Sequence, residues 1–512
     1  MPKLNREPYR VIVEHDTPVA MRDGTILRGS VHRRAEGGPF PTLLARTPYG
    51  ENTFRMMPVT PALEAGFAVV LQHCRGRGGS DGEFRPWLDE GDDGHDTIEW
   101  ITAQPWSNGE VVMQGMSYLA GCALQAAATR PPGLTAVVAS MTPHDFYDGL
   151  KYHGGAFAYG SARNWGVMQA MLGLMHAAEA GRDVGAGLGA LLPLLADPAA
   201  EVPPDVVPWW HDWVSHRERD AYWQELAQTL VHDRIEVPVM HVAGWFDLFL
   251  AGTLENHRRL GGPLVVGPWS HLNPGGSGTG AVNFGFFASG QAIQLEQRQL
   301  AFLRGQDSGP AVKIFVMGDD VWRDEEAWPL ARAVETRYYL HSDGGLSPEQ
   351  KAGEPVTFTF DPRDPVPTTG GPTLLPDPVN VGPQDQREVE LRPDVLCFTT
   401  APLEADLEVT GPVSVTLHAR SSAPSTDWTA KLVNVHPDGR ALSVIDGIVR
   451  TTRSTSVIDL VATSQVFKAG HRIRVEISSS NHPRFDVNPA VDRPAVQQVY
   501  PDSFVTLPVV PR

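Results

Sequence analysis

Ser117 stands in the run Gly115-Met116-Ser117-Tyr118-Leu119-Ala120-Gly121, which follows an apolar stretch at 110–114 and opens a helical pattern reaching Ala128. A strand that turns sharply into a helix exposes the residue at the bend, and a glycine two positions earlier relieves the crowding there. A serine so placed becomes a nucleophile when a base takes its proton, an acid orients that base, and donors receive the oxyanion. The second glycine of the G-x-S-x-G pattern is absent, because Leu119 stands two after the serine. On the motif alone, Ser117 serves equally well as a helix cap. On such a sheet the acid and the histidine follow the serine in that order, each just past a strand. Asp247 ends the run His241-Val242-Ala243-Gly244-Trp245-Phe246-Asp247, and His271 ends Val266-Gly267-Pro268-Trp269-Ser270-His271. Each alone reads as a loop residue or cap. Three fitting residue types, in order, at three strand ends point to acyl transfer through a Ser-His-Asp triad.

The elements that must position these residues are legible in outline. Residues 11–14 and 26–32 pattern as an antiparallel pair, and 42–46 and 68–73 as short β-rich runs ending in loops. Residues 92–103 have helical spacing, with acidic residues in the first turn where the helix dipole favours them. Buried strands alternating with helices imply a doubly wound α/β sheet. Between 145 and 233 the chain offers no strand, only helical stretches rich in Ala, Leu, Met and Trp. The β pattern resumes at 237–242 and 264–267, so an all-helical insertion capping the site is expected. From about Val312 the chain turns strand-rich, at 313–317, 337–340, 356–360, 413–419, 429–435 and 472–478. Turns at Ser342-Asp343-Gly344-Gly345 and Pro437-Asp438-Gly439 separate these runs, the pattern of a β-sandwich or jelly roll. The expected division is 1–143 for the first part of the α/β core, 144–236 for the helical cap, 237–331 for the second part of the core, and 332–512 for the β domain.

Composition narrows the function classes. The 512 residues carry 42 Lys+Arg against 60 Asp+Glu, a net charge of −18 with no basic run. Such a surface repels phosphate backbones, so nucleic acid is not an expected partner. Hydrophobic residues at 42% and charged residues at 20% suit a soluble chain with a full-sized core. The start MPKLNREPYRVIVEHDTPVAMRDG lacks the apolar region of a secretion signal. The longest apolar stretch, 184–195, is broken by Pro193 and falls short of the ~20 residues a membrane helix needs. A cytoplasmic protein without a membrane partner is expected. Cys74, Cys122 and Cys397 are too few and too scattered for a disulfide framework or a zinc site, and read as small buried apolar residues. Glu90-Gly91-Asp92-Asp93-Gly94-His95-Asp96 lacks the ligand spacing of a calcium loop and reads as a solvated helix start. His144, Asp145, Asp148 and His153 read as loop and capping residues. Neither a metal nor a cofactor is expected.

Further motifs run the length of the chain. Arg46-Thr47-Pro48-Tyr49, Arg75-Gly76-Arg77-Gly78-Gly79-Ser80-Asp81-Gly82-Glu83-Phe84, Asp96-Thr97-Ile98-Glu99-Trp100 and 115–119 come first. Gly244-Trp245-Phe246-Asp247, Gly267-Pro268-Trp269-Ser270-His271, Phe315-Val316-Met317-Gly318 and Trp322-Arg323-Asp324-Glu325 follow. Pro437-Asp438-Gly439-Arg440, Asp446-Gly447-Ile448-Val449-Arg450 and Ser478-Ser479-Ser480-Asn481 complete the series. In these, over nearly its whole length, the chain resembles the cocaine esterase branch of the CocE/NonD hydrolases, which are related to X-prolyl dipeptidyl peptidases.

The resemblance implies an α/β-hydrolase core with an inserted helical cap and a C-terminal jelly-roll β domain. It implies Ser117 as nucleophile, His271 as base and Asp247 as orienting acid, with the Tyr49 phenol and the Tyr118 backbone N–H as oxyanion donors. Relatives that hydrolyse α-amino acid esters carry carboxylates near the catalytic Asp, whereas here Phe249 and Leu250 occupy the positions two and three after Asp247. An apolar acyl pocket is therefore expected, with Phe249, Trp165 and Leu375 as walls. Pro376 stands where the nearest relatives have an aromatic residue, which tells against strict benzoyl choice. The expected activity is a carboxylesterase acting through an acyl-enzyme on small-molecule esters with aromatic or apolar acyl groups, with a homodimer left open. An X-Pro dipeptidyl peptidase or amidase and an acyltransferase, each using the same triad, remain alternatives. So does a non-catalytic protein that binds carbohydrate through its jelly roll.

Overall fold

Residues 68–73 and 239–246 have no position open to solvent, as expected of strands covered on both faces. In the computed structural model, which describes residues 9–50, 57–197 and 200–511, these runs belong to one ten-stranded sheet. The beginning of the segment read for a secretion signal lies outside the described residues. The strands are β1 (Val11–Ala20), β2 (Ile26–Arg34), β3 (Phe40–Thr47), β4 (Ala68–His73), β5 (Ser107–Met116), β6 (Leu134–Ser140), β7 (Val239–Phe246), β8 (Leu264–Ser270), β9 (Val312–Val316) and β10 (Val321–Glu325). Their order across the sheet is β1-β2-β4-β3-β5-β6-β7-β8-β9-β10. From β4 to β9 every pairing is parallel, and antiparallel strands flank this block at both ends. After β3 the chain turns to one side of the sheet, and after β5 it turns to the other. The crevice beyond the carboxyl ends of these two neighbours is where open α/β sheets bind ligands.

The helices are α1 (Val59–Glu64), α2 (Glu90–Thr102), α3 (Tyr118–Ala128), α4 (Tyr159–Glu179), α5 (Gly185–Ala196), α6 (Pro208–Ser215), α7 (Ala221–Ala227), α8 (Leu250–Leu260) and α9 (Leu295–Leu303). The group α4–α7 lies between β6 and β7, where the helical insertion was expected. That segment is not strand-free. Tyr152–His153 and Ala156–Phe157 form a small antiparallel hairpin, closed by Gly154 and Gly155 at φ 51° and 86°. A two-residue turn with positive φ at both positions is the glycine-demanding hairpin geometry, and four residues of strand are too short to show a period. Among the described residues no helix is long and apolar enough to cross a membrane.

The start of α2 differs from expectation. Glu90, Asp93 and Asp96 are buried rather than solvated, because arginines from other elements meet them. Arg46, wholly buried on β3, reaches Glu90 at 2.8 Å and Asp93 at 3.3 Å; Arg75 reaches Asp93 at 2.7 Å, and Arg22 reaches Asp96 at 2.6 Å. Buried charges persist only when paired and hydrogen-bonded in this way.

The C-terminal region comprises β11 (Val334–Leu340), β12 (Val356–Phe360), β13 (Leu396–Thr399), β14 (Leu407–Ser421), β15 (Thr426–Val435), β16 (Ala441–Thr451), β17 (Thr455–Phe467), β18 (Arg472–Ser478), β19 (Ala495–Val499) and β20 (Phe504–Val510). One antiparallel sheet runs β11-β20-β14-β19-β12 with β17 on β14, and the other runs β13-β18-β15-β16. They share a core in which Val415, Leu417 and Ile458 meet Trp428, Leu432 and Val475. The run at 313–317, the first of the strand-rich stretch, is β9 of the hydrolase sheet. There it pairs with β8 and packs Val316 and Met317 against Ala462 and Val466 of β17.

Candidate active site

β5 ends at Met116 and α3 begins at Tyr118, so the chain reverses on Ser117 alone. Its backbone sits at φ 60° and ψ −125°, a conformation that costs an L-residue about 1–3 kcal/mol and survives only where the surroundings enforce it. Gly115 makes the bend possible, since a Cβ there would stand 2.3 Å from the carbonyl carbon of Leu119. Leu119 is tolerated at the usual second-glycine position, and the close approach comes two residues later. At Gly121 a Cβ would stand 2.3 Å from the Trp87 ring.

β7 delivers Asp247 and β8 delivers His271, each at the first residue past the strand. The Ser117 Oγ lies 3.0 Å from His271 Nε2, and His271 Nδ1 lies 2.6 Å from Asp247 Oδ1. Asp247 is buried, and its second oxygen accepts the Phe249 N–H at 3.0 Å. A carboxylate against Nδ1 keeps the proton on that nitrogen and leaves Nε2 free to accept from the serine. The structure thus brings all three sequence-derived residues into one hydrogen-bonded chain.

Tyr49, just past β3, is partly buried, and its hydroxyl shares a hydrogen bond with Ser117. It also accepts the Trp165 Nε1–H at 3.1 Å. Burial pushes the phenol up to about 12, so it remains a donor at neutral pH. Tyr118 is the first residue of α3, so its N–H has no acceptor within the helix and lies at the positive end of the dipole. The Tyr118 hydroxyl accepts the Trp87 N–H at 2.9 Å and donates to Glu90 at 2.8 Å. Glu90 therefore ties Arg46, three residues before Tyr49, to the residue that follows the serine.

These groups open into a cleft of about 520 Å³. Phe249 lines it, edge-on to the His271 ring at 5.3 Å, and so does Trp165, stacked 6.0 Å from Tyr118. Leu375 does not. Its neighbour Leu374 faces the cleft, while the Leu375 side chain packs against Gly160 of α4, where a Cβ would come within 2.3 Å of it. A single-residue step along the chain turns the side chain to the other side. By the same step Leu248 rather than Leu250 faces the cleft, and Leu250 packs with Ala243 and Phe246. Sequence reasoning missed Trp87, Leu248 and Lys151. A lysine beside a two-residue strand carries no periodic signal.

Two groups weighed as ligands find other roles or company. Asp145 accepts the Tyr147 and Asp148 N–H groups, each at 2.8 Å, in the capping role expected of it, and pairs with Arg219. Cys74 and Cys122, distant in sequence, are brought together with Glu90, with ligand atoms within 4.8 Å. The Glu90 carboxylate is already held by Arg46 and Tyr118, and burial raises both thiols, against the thiolate a metal needs.

A strained serine at the switch point of an α/β sheet, with a histidine and a buried aspartate behind it, defines a serine hydrolase, here with a helical insertion and an added β domain. The comparisons agree. The model of the X-Pro dipeptidyl-peptidase (S15) family matches residues 23–273, and that of the X-Pro dipeptidyl-peptidase C-terminal non-catalytic domain matches 304–501. Cocaine esterase from Rhodococcus sp. (strain MB1 Bresler) is 36% identical over 530 residues, covering 93% of this chain and 92% of that protein. The chain belongs to the cocaine esterase-like CocE/NonD family of ester hydrolases. Among solved structures, an aminopeptidase from a marine sediment Thaumarchaeota archaeon has the same fold, with a TM-score of 0.82, 23% identity, and 100% and 99% of the two chains covered. An α-amino acid ester hydrolase superposes with a TM-score of 0.80 at 25% identity, over 99% of both chains.

Proposed function

We propose that this serine hydrolase is a carboxylesterase for small esters with aromatic or apolar acyl groups, working through an acyl-enzyme on Ser117. The observation that carries the reading is the Ser117–His271–Asp247 hydrogen-bonded chain at the floor of a mostly apolar cleft. His271 Nε2 takes the hydroxyl proton as Oγ attacks the ester carbonyl, and Asp247 stabilises the imidazolium through Nδ1. The Tyr49 hydroxyl and the Tyr118 N–H receive the developing oxyanion. Collapse of the tetrahedral intermediate passes the proton from His271 to the departing alkoxide. Water then repeats attack and collapse on the acyl-serine and frees the acid. The reading takes the hydrolase core as 1–143 and 237–331, the cap as 144–236 and the β domain as 332–512, in a cytoplasmic enzyme.

Ester rather than aminopeptidase chemistry is favoured by the cleft lining. Its described residues include no Asp or Glu to hold a substrate ammonium. The testing experiment is a panel of phenyl, alkyl and X-Pro ester and amide substrates, run beside labelling by a fluorophosphonate. Ester turnover with label confined to Ser117 is expected. Labelling elsewhere, or preferred cleavage of X-Pro amides, overturns the reading.

A further inference from the structure

The described lining of the cleft contains one lysine, Lys151, whose side chain is almost wholly withdrawn from solvent. Its Nζ lies 3.4 Å from the centre of the Trp213 ring and 5.4 Å from that of Trp165. Aromatic faces attract a cation and hold its stem, but they do not neutralise it. No carboxylate among the described residues pairs with Lys151, and burial alone draws its amine down to about 7. Buried lysines ordinarily have a counter-charge, because an isolated ammonium loses its hydration without return.

The position is held on both sides. The Lys151 N–H donates to the Tyr147 carbonyl at 3.1 Å, and its carbonyl accepts the Ala158 N–H at 2.8 Å. The hairpin that follows is fastened to the β domain, with the Arg450 N–H donating to the Gly154 carbonyl at 2.8 Å and the Phe157 N–H to Asp486 at 3.0 Å. The backbone on either side of the lysine is thus tied to the rest of the fold. Trp165 touches both ends of the site, donating to the Tyr49 hydroxyl through Nε1 and presenting its ring to Lys151.

We propose that Lys151 is a specificity-determining residue whose ammonium receives a carboxylate carried by the substrate, so that the enzyme prefers esters bearing a second, ionised acid group. The inference rests on the esterase reading and deepens it. The apolar walls take the hydrocarbon body, and the bound carboxylate supplies the counter-charge that the described residues do not. A substrate ammonium is doubly disfavoured, meeting one cation and no anion among the described lining residues. The acid group can come from the acyl side or from the alcohol side, and the test has an arm for each.

Three esters are compared: monophenyl adipate with the acid on the acyl side, 4-carboxyphenyl hexanoate with the acid on the leaving group, and the neutral phenyl hexanoate. Wild type and Lys151→Met are assayed, and kcat/KM for each acid ester is divided by that for the neutral ester in the same preparation, which cancels any loss of folded enzyme. At least one ratio is expected to fall about tenfold or more in Lys151→Met, chiefly through KM, as loss of one charge-assisted hydrogen bond requires. In parallel, calorimetry on Ser117→Ala and Ser117→Ala/Lys151→Met reads the affinity for the same esters without turnover. The single variant is expected to bind an acid ester more tightly than the neutral one, and the double variant to lose that difference. Absence of turnover of every ester in wild type sinks the esterase reading, while the affinities still decide the subsite. Unchanged ratios for both acid esters, or affinities indifferent to Lys151, overturn the carboxylate subsite.

Discussion

Replacing Tyr49 by phenylalanine removes one oxygen and leaves the ring that lines the cleft. That oxygen has two engagements, a hydrogen bond with Ser117 and acceptance of the Trp165 N–H at 3.1 Å. On the proposed mechanism its loss leaves one oxyanion donor, the Tyr118 N–H, with Ser117, His271 and Asp247 untouched. Deleting one such donor costs about 2.7–4 kcal/mol of transition-state stabilisation, a fall in kcat of roughly 10²–10³. The Trp165 N–H loses its acceptor at the same time, and a buried donor left unpaired costs about 1–3 kcal/mol of stability, at the low end here because Trp165 is only partly buried. The two effects separate by assay. Steady-state kinetics on a neutral phenyl ester should show kcat falling with KM nearly constant, while thermal unfolding shows a modest drop in Tm. Trp165→Phe removes that donor and leaves the Tyr49 hydroxyl bonded to Ser117, so it should retain far more kcat than Tyr49→Phe, its own Tm change coming from lost ring packing on Tyr118 and Trp213. Because burial holds the phenol at about 12, Tyr49 ionisation should impose no loss of activity below about pH 11. A Tyr49→Phe enzyme with wild-type kcat and a raised KM would refute the oxyanion role and make Tyr49 a residue that binds the ground state.

Ser117→Ala and His271→Ala should each lower kcat by at least ~10³-fold in purified, folded enzyme, and full activity in the serine variant ends the assignment. Phenyl or alkyl esters should exceed matched α-amino esters in kcat/KM at a pH where the amine is protonated, since desolvating an uncompensated ammonium costs several kcal/mol. The reverse order would require an anionic group facing the cleft. Lys151→Met should stabilise the ligand-free protein at neutral pH. The folded-state amine, lowered from 10.5 to about 7, binds fewer protons than the unfolded one between those values, so its burden is full below pH 7 and fades as pH rises towards 10.5. Denaturant titrations at pH 6.5 and 9.5 check this, with a gain of a few kcal/mol expected at the lower pH and a smaller one at the higher. Equal stability of the two proteins at pH 6.5 contradicts it.

The meeting of Ser117, Asp247 and His271 was legible because a parallel sheet leaves a local signature at each strand end, and the order of the three residues is set by topology. What escaped was decided by partners remote in sequence. β14 was expected over 413–419 but runs Leu407–Ser421, since Gly411 and Pro412 break the pattern while the ladder absorbs them next to a register shift. The acidic start of α2 carries the composition of a solvated helix, and its burial depends on Arg46, Arg75 and Arg22, placed by β3 and by two loops. Leu375 missed the cleft by one residue, because in irregular chain no period fixes which side chain faces inward.

The fastening of the 152–157 hairpin to the β domain bears on how such an enzyme diversifies. Residues that break bonds stand on the rim of one sheet, whereas the segment carrying Lys151 is moored to β16 and to Asp486. The domain whose family description calls it non-catalytic thereby holds the hairpin that follows Lys151. On the proposal that Lys151 reads the substrate, substitutions along 446–450 or 484–486 are expected to shift that hairpin and alter substrate choice while Ser117, His271 and Asp247 keep their spacing. For laboratory evolution this places the productive library on the β domain, far from Ser117 in sequence and outside the reach of scans restricted to the hydrolase core.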